Sequence, residues 1–569
     1  MQIQRRQPQS EFSTTDIDPI LQRIYAHRGI QTPQQLDTSL RQLCHYNQLK
    51  GIEQAATLLA DAISSAKQIM IVGDFDADGA TSTALCMLSF GLLGTQHFQY
   101  LVPNRFDFGY GLSPEIVDVA HQQGAQLIIT VDSGIACIKG VEHARALGMD
   151  VIITDHHLAA EQLPAANAIV NPNQPGCTFP SKNLAGVGVA FYMMLALKAE
   201  LKSRDWFAQR PEPNLAELLD IVALGTVADV VILDANNRIL VHQGIQRIRS
   251  GQCRPGITAL LEVAGRNQAN LSASDLGFVV APRLNAAGRL DDMSQGIECL
   301  LTSDQAQARE MAVQLDSLNR ERRQIESSMQ QEALKALSQL SLNEEQLPYG
   351  ICLYQEDWHQ GVIGILAGRI KEQYFRPTVV FAHQDDAVIK GSARSIPGLH
   401  IRDLLEELNS RYPNIITKFG GHAMAAGLSM PVGNLAAFEE LFNQLAQEQL
   451  AGQPLQGVVM SDGELAPQQM SLPVAQMLKQ SGPWGQGFAE PVFDGVFNLV
   501  DQRIVGQKHL KMQIQTDSGQ LVDAIAFNVD LDVWPNKQTR QVELAYKLDI
   551  NEFRGRVSVQ LLVDAINPA

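Results

Sequence analysis

The chain has 569 residues, of which 45% are hydrophobic and 18% charged, with a formal net charge of −17 at pH 7. That length exceeds what a single core organises and implies roughly three or four units, and the composition excludes a disordered or low-complexity protein. The negative charge weighs against a partner held by global positive potential, although a local groove of Arg and Lys would serve a nucleic-acid strand. The cysteines are widely spaced with no CxxC pair, against both a zinc ribbon and a disulfide framework. No apolar run approaches a membrane span and the start Met1–Arg6 has no apolar signal segment, so a cytoplasmic location and no membrane partner are expected.

Residues 1–50 are polar with a helical pattern and form an appended N-terminal segment. From 51 to 235 strand and helix patterns alternate, the signature of a doubly wound parallel sheet. Three β-rich apolar runs there, 68–72, 127–131 and 151–154, each lead into ionisable residues. The first is followed by Asp74, Asp76 and Asp78, the second by Asp132, and the third by Asp155, His156 and His157. Open α/β sheets build their sites at the carboxyl ends of such strands. An aspartate there is often only a turn former or helix cap, and Gly79–Ser82 does resemble a helix start. Three clusters on consecutive strands carry more weight. So many carboxylates share a pocket only when cations offset their repulsion, and mixed carboxylate and imidazole donors favour Mn²⁺ or Mg²⁺. The simplest chemistry is two-metal hydrolysis of a phosphate ester.

Residues 236–348 read as helical. Met311, Leu315, Leu318, Ile325 and Met329 mark one long helix over 304–338, free of Gly and Pro. A second α/β unit is expected over 349–456. The last segment, 457–569, carries short alternating runs that predict a small β-barrel of the oligonucleotide-binding type. The fold class is therefore α/β: a doubly wound domain joined by a long helix to a second α/β domain, with a C-terminal OB-like barrel.

The ordered set Asp74-x-Asp76-x-Asp78-Gly, Asp132-Ser-Gly, Asp155-His156-His157, Gly225-Thr-Val-Ala-Asp229 and Gly420-Gly-His422-Ala-Met-Ala-Ala-Gly427 resembles the DHH phosphoesterase superfamily. Within it, nearly the whole chain is similar to the bacterial 5′→3′ exonucleases specific for single-stranded DNA. The resemblance implies that Asp74, Asp76, Asp78, Asp132, His156 and Asp229 hold two Mn²⁺ or Mg²⁺ ions, with Asp132 as the bridge; some superfamily members carry His at the position of Asp74. It implies that Asp155 orients the histidine pair and that His157 contacts the scissile phosphate. Ser392, Arg394 and Arg105 would surround the terminal 5′ phosphate. The stretches at Gly391–Arg394 and at Gly421 and His422 would be glycine-rich turns at helix starts, offering backbone N–H groups. Arg283, Asn285 and Arg289 would contact the strand backbone, and Tyr110 or Phe106 would stack a base. Trp484 reads more readily as barrel core than as a stacking platform.

The implied activity is release of 5′-mononucleotides from single-stranded DNA in repair and recombination. The implied enzyme is a monomer working beside a single-strand binding protein and a RecQ-type helicase. The alternative is a small-substrate phosphodiesterase or pyrophosphatase acting on short oligonucleotides or cyclic dinucleotides, for which the extra barrel has no obvious use. A binding protein that has lost its metals is disfavoured by the intact ligand series.

Overall fold

In a computed structural model, which describes residues 1–104, 111–340, 347–385, 387–453, 455–553 and 555–569, the apolar runs of the first part of the chain form a parallel sheet. Numbered along the chain, β1 (Gln2–Arg5) lies outside it. The sheet consists of β2 (Ile69–Val72), β3 (Phe98–Leu101), β4 (Leu127–Val131), β5 (Asp150–Thr154) and β6 (Ala168–Val170), in the order β3-β2-β4-β5-β6. Every pairing is parallel. All residues of β2 and β4 are buried, because helices cover both faces and leave no reason for polar alternation. Ile69, Ile71, Leu127 and Ile129 belong to one core, while Met70, Val72 and Ile128 point into the other. The chain leaves β2 for β3 on one side and returns to β4 on the other. The carboxyl ends of β2 and β4 therefore flank the topological switch point, where this architecture opens a crevice.

Helices Gly186–Ser203, Leu219–Ala228, Ala235–Arg249 and Ala281–Leu290 extend the larger of these cores. The long helix spans Gln305–Leu340, 36 residues. After it come β7 (Ile351–Tyr354), β8 (Thr378–His383), β9 (Val388–Arg394), β10 (Lys418–Gly421) and β11 (Ala425–Pro431), in the order β10-β11-β9-β8-β7. Only β7 and β8 run parallel in this mixed sheet, whose own core contains Phe381, Phe438 and Phe442. Next, β12 (Val458–Ser461) pairs with β1. The remaining strands, β13 (Phe493–Val505), β14 (His509–Gln515), β15 (Leu521–Ala526), β16 (Gln541–Phe553) and β17 (Arg556–Pro568), close into a barrel in the order β13-β14-β15-β17-β16.

The contacts divide the chain into two units, one of residues 1–4 and 320–459, the other of residues 5–319 and 460–569. The N-terminal segment and the barrel thus share a unit with the parallel sheet, although sequence separates them. Tyr25 in helix Pro19–His27 stacks with Trp484 and Phe488 at centroid distances of 6.1 and 6.2 Å, and its hydroxyl donates to the Ser481 carbonyl. Trp484 is buried and donates its indole N–H to the Leu478 carbonyl. All seven cysteines are free thiols. Among the described residues, no helix is long and apolar enough to cross a membrane.

Candidate metal centre

Three loops leave the carboxyl ends of β2, β4 and β5 and turn their carboxylates and imidazoles toward one point. The first, after β2, leads into helix Ala77–Leu93. Asp76 caps that helix, its Oδ1 accepting from the Gly79 N–H at 3.0 Å. Asp78, in the first turn, is 1% exposed and sits on the N-terminus of helix Gly186–Ser203. Its two oxygens accept from the Gly186 and Val187 N–H groups at 2.6 and 3.0 Å. Burial and the neighbouring Asp76 push the Asp78 carboxyl up to about 7 despite those donors.

The second loop carries Asp132 at φ +58°. Thr130 braces it, donating its hydroxyl to the Ser133 carbonyl at 2.8 Å. Burial, with Asp78, Asp76, Asp229 and Asp74 around it, raises the Asp132 carboxyl well above its ordinary range. The third loop is organised by Asp155, 1% exposed, which accepts from the N–H groups of Ile135, His156 and His157 and from His157 Nδ1 at 2.7 Å. Burial opposes its charge, but the two imidazoles prevail and hold it below the usual carboxylate range. Burial likewise disfavours the His157 imidazolium, yet Asp155, Asp74 and Asp76 raise it above its ordinary value. Asp229 ends helix Leu219–Ala228 and is also raised, by burial and then by Asp78, Asp76 and Asp74.

The expected ligands come together. His156 Nε2 lies 3.2 Å from Asp132 Oδ1 and 3.5 Å from Asp229 Oδ2. Three groups have ligand atoms within 4.8 Å of one another: Asp74, Asp76 and Asp132; Asp132, His156 and His157; and Asp78, His156 and Asp229. Asp132 and His156 each belong to two of them, and of the two only Asp132, with two carboxylate oxygens, could be shared between two ions. Adjacent donors on an octahedral ion with bonds near 2.1 Å stand about 3.0 Å apart, so the spacing fits small hard divalent cations. The donor set fits as well. Buried carboxylates with mutually raised pKa values are a site that cations stabilise, and the absence of a thiolate excludes a structural zinc of the cysteine type.

Glycines set how closely these pieces approach. A Cβ at Gly186 would lie 2.6 Å from Asp132 Cβ, one at Gly225 would meet Thr81 Oγ1 at 2.2 Å and Asp78 Oδ1 at 3.0 Å, and one at Gly79 would lie 2.5 Å from the Asp74 carbonyl oxygen. Sequence reasoning missed two supports, Asn171 and Asn173. Their amides donate to the His157 and His156 carbonyls at 2.9 and 2.6 Å, fixing the histidine loop from β6. The Asn-Pro-Asn run just past an apolar strand was the available signal.

The expected substrate residues are placed less uniformly. Arg105 and Tyr110, with Phe106, lie outside the described residues. Arg283 faces inward: it is buried, pairs with Asp316 at 2.8 Å and donates to the Val279 carbonyl, so its guanidinium is engaged within the fold. Asn285 also serves the protein, its amide oxygen accepting from the Ala77 N–H at 2.9 Å and clamping the first metal loop. Arg289, in the last turn of the same helix, is half-buried. In the other unit, Arg394 donates to the Ser392 hydroxyl at 3.0 Å and to the Ala393 carbonyl, and a Cβ at Gly364 would come within 3.0 Å of both Arg394 Nη2 and Ser392 Oγ. Burial pulls the Arg394 guanidinium down from its ordinary value. The glycine-rich stretches are not helix starts: Gly391–Arg394 lies within β9, and Gly421 ends β10 with the exposed His422 in the turn before β11. Gly391 is small because the Phe381 ring packs against its backbone, and a Cβ there would meet that ring at 2.5 Å.

An acidic cluster at the switch point of a parallel sheet, followed by a mixed α/β domain, is the arrangement of the DHH class, to which this chain adds a closed barrel. Residues 68–226 match the DHH family N-terminal domain, 347–448 the DHHA1 domain and 461–565 the RecJ OB domain. The chain is 56% identical to the single-stranded-DNA-specific exonuclease RecJ of Dickeya dadantii over 99% of both chains. It is 55% identical to that of Escherichia coli over 100% of this chain and 99% of the other. A crystal structure of RecJ from Thermus thermophilus in complex with Mn²⁺ superimposes with a TM-score of 0.80 at 28% identity, covering 100% of this chain and 80% of that one. Its Mg²⁺ complex gives 0.75 at 27% identity, covering 99% and 78%. The chain belongs to the RecJ family of single-stranded-DNA-specific exonucleases.

Proposed function

We propose that this protein hydrolyses single-stranded DNA from the 5′ end, releasing 5′-mononucleotides, with two Mn²⁺ or Mg²⁺ ions held by Asp74, Asp76, Asp78, Asp132, His156 and Asp229. The observation that carries this reading is the convergence of those donors at the switch point, in a chain more than half identical to single-stranded-DNA-specific exonucleases. When bound, the ions supply Lewis-acid activation of the attacking water and offset charge on the phosphorus centre and leaving oxygen. The protein's part is positioning. Asp132 stands between two donor groups and is suited to hold them at a fixed separation. Asp155 accepts from His157 Nδ1 and thereby fixes the orientation of the ring, leaving Nε2 on the side open to the scissile phosphate. Ser392 and Arg394, already hydrogen-bonded to each other, suit the terminal 5′ phosphate, with Gly364 providing room beside them. The setting we infer is DNA repair and recombination in the cytoplasm, by a monomer supplied with single strands by a RecQ-type helicase and single-strand binding protein. Family membership alone supports that setting.

Digesting one oligonucleotide labelled at either end, single- or double-stranded, with Mn²⁺, Mg²⁺ or EDTA, tests polarity, strandedness and metal need together. We expect mononucleotides from the 5′ end of the single strand, and nothing in EDTA. Digestion in EDTA or equal attack on duplex would refute the assignment, and a preference for cyclic dinucleotides over a long strand would favour the small-substrate alternative.

A further inference from the structure

Two large apolar side chains next in sequence to residues of the metal cluster stay exposed, and so does one on an element that packs against the Asp229 helix. Leu158, directly after His157, is 64% exposed, and so is Val230, directly after Asp229; Phe278 is 78% exposed. Single exposed apolar residues are ordinary, but Phe278 is the barest phenylalanine among the described residues. Val230 also adopts φ +59°, a left-handed backbone that a β-branched residue takes only under constraint from its surroundings.

Phe278 lies in Leu276–Val280, a π-helical turn that runs straight into helix Ala281–Leu290. Such turns cost hydrogen-bond geometry and tend to occur where a side chain must be presented for function. This rod is fastened to the metal loops at both ends. A Cβ on Gly277 would touch Val227 Cγ1 at 3.2 Å, two residues before Asp229, and Asn285 holds the Ala77 N–H beside Asp76. Phe278 therefore projects from an element that packs against the helix ending in Asp229 and that also holds the loop of Asp76.

We propose that Phe278 is the platform on which a base stacks while its nucleotide's phosphate lies at the metal cluster, with Val230 as the adjoining apolar edge. The inference rests on the single-strand reading above. Every base has an apolar π-face, so a phenyl ring grips any sequence without selecting one, as an exonuclease requires. Base and phosphate of one nucleotide would thus be held by different surfaces, the ring fixing the nucleotide's register while its phosphate meets the cations that the carboxylates would hold.

The test compares wild type, Phe278→Ala and Phe278→Trp on an intact single strand and on strands with one abasic site moved through the first few nucleotides, reading kcat/KM. Wild type should lose about tenfold at a single abasic position. Phe278→Ala should lose about as much on the intact strand and nothing further at that position, while Phe278→Trp retains activity. Because the ring is exposed, the melting temperature should not move. Unchanged kcat/KM in Phe278→Ala, or losses that multiply when variant and abasic site are combined, would overturn the proposal and leave Phe278 as a surface for another protein. A wild-type protein inert on single strands would overturn the functional reading and this inference with it.

Discussion

Asp132 adopts φ +58°, a left-handed backbone that Asp and Asn tolerate far better than other L-residues apart from glycine. Asp132→Asn is therefore a cleaner probe of its charge than Asp132→Ala, which would also strain the loop. We expect Asp132→Asn to lower kcat by about two decades or more, since a lost metal bridge forfeits several kcal/mol at the transition state. The metal-free fold should survive, because the variant removes one of several mutually repelling carboxylates. Near-normal turnover with saturating Mn²⁺ would refute the bridging role, whereas a large drop in metal-free melting temperature would show that the residue is mainly structural. Much of the cluster was legible because carboxylates and imidazoles directly follow apolar strand runs, so chain order alone aligns them. The supporting amides were not legible: Asn171, Asn173 and Asn285 act through contacts whose partners the local sequence does not reveal. The ion pair of Arg283 was hidden for the same reason, its partner Asp316 lying 33 positions further on.

The helix Gly186–Ser203 shows how an element can be built around a site. Its N-terminal N–H groups receive Asp78, and its first glycine is the floor against which Asp132 packs. Gly186→Ala would force a Cβ to within 2.6 Å of Asp132. It should cost about 1–3 kcal/mol of stability by overpacking and remove most nuclease activity. Gly91→Ala is the control: it lies exposed in helix Ala77–Leu93 with nothing within 4 Å, and should raise stability by about 0.5–1 kcal/mol with activity unchanged. Urea unfolding and initial rates on both variants decide it. If both alanines behave alike, close approach at Gly186 is not what the position requires. Glycine also explains the error over the second sheet. Gly391 and Gly421 read as turn formers from sequence, yet both belong to strands, where the need is room for the Phe381 ring and for the Ala425 carbonyl.

At the scale of the whole molecule the metal cluster couples stability to pH. Asp78, Asp132 and Asp229 keep their protons to higher pH when folded than a carboxyl does in an unfolded chain. The metal-free fold therefore has their full contribution below about pH 4 and loses it as pH rises toward and past neutrality. Cations displace those protons, so Mn²⁺ should raise the melting temperature more at about pH 8 than at about pH 5. Equal gains at both would mean that these carboxylates are not the ligands.

A second group works in the opposite direction and ties the N-terminal segment to the start of the C-terminal region. Asp462 is buried; it accepts from Arg28 Nη1 and Nη2 at 2.5 and 2.9 Å and lies 2.9 Å from His27 Nδ1. The Val492 N–H adds a fourth contact at 3.2 Å. Burial alone would raise this carboxyl, but the Arg28 guanidinium outweighs it and the group ends below its ordinary range. Sequence could not pair residues more than 430 positions apart, which is why residues 1–50 read as an appendage. A lowered folded pKa makes the contribution complete above the ordinary carboxylate range, about pH 4, and progressively lost as pH falls through the folded value. Asp462→Asn would leave Arg28, whose side chain is 2% exposed, buried without its carboxylate. At neutral pH it should cost about 3–5 kcal/mol, as breaking one side of a buried pair does. As pH falls below about 4 the gap should begin to narrow, and it should close once pH passes the lowered folded value, where wild type loses the same charge. Melting temperatures recorded against pH for both would show the gap closing on the acid side only. A constant gap would mean that packing, not charge, joins the N-terminal helix to this segment.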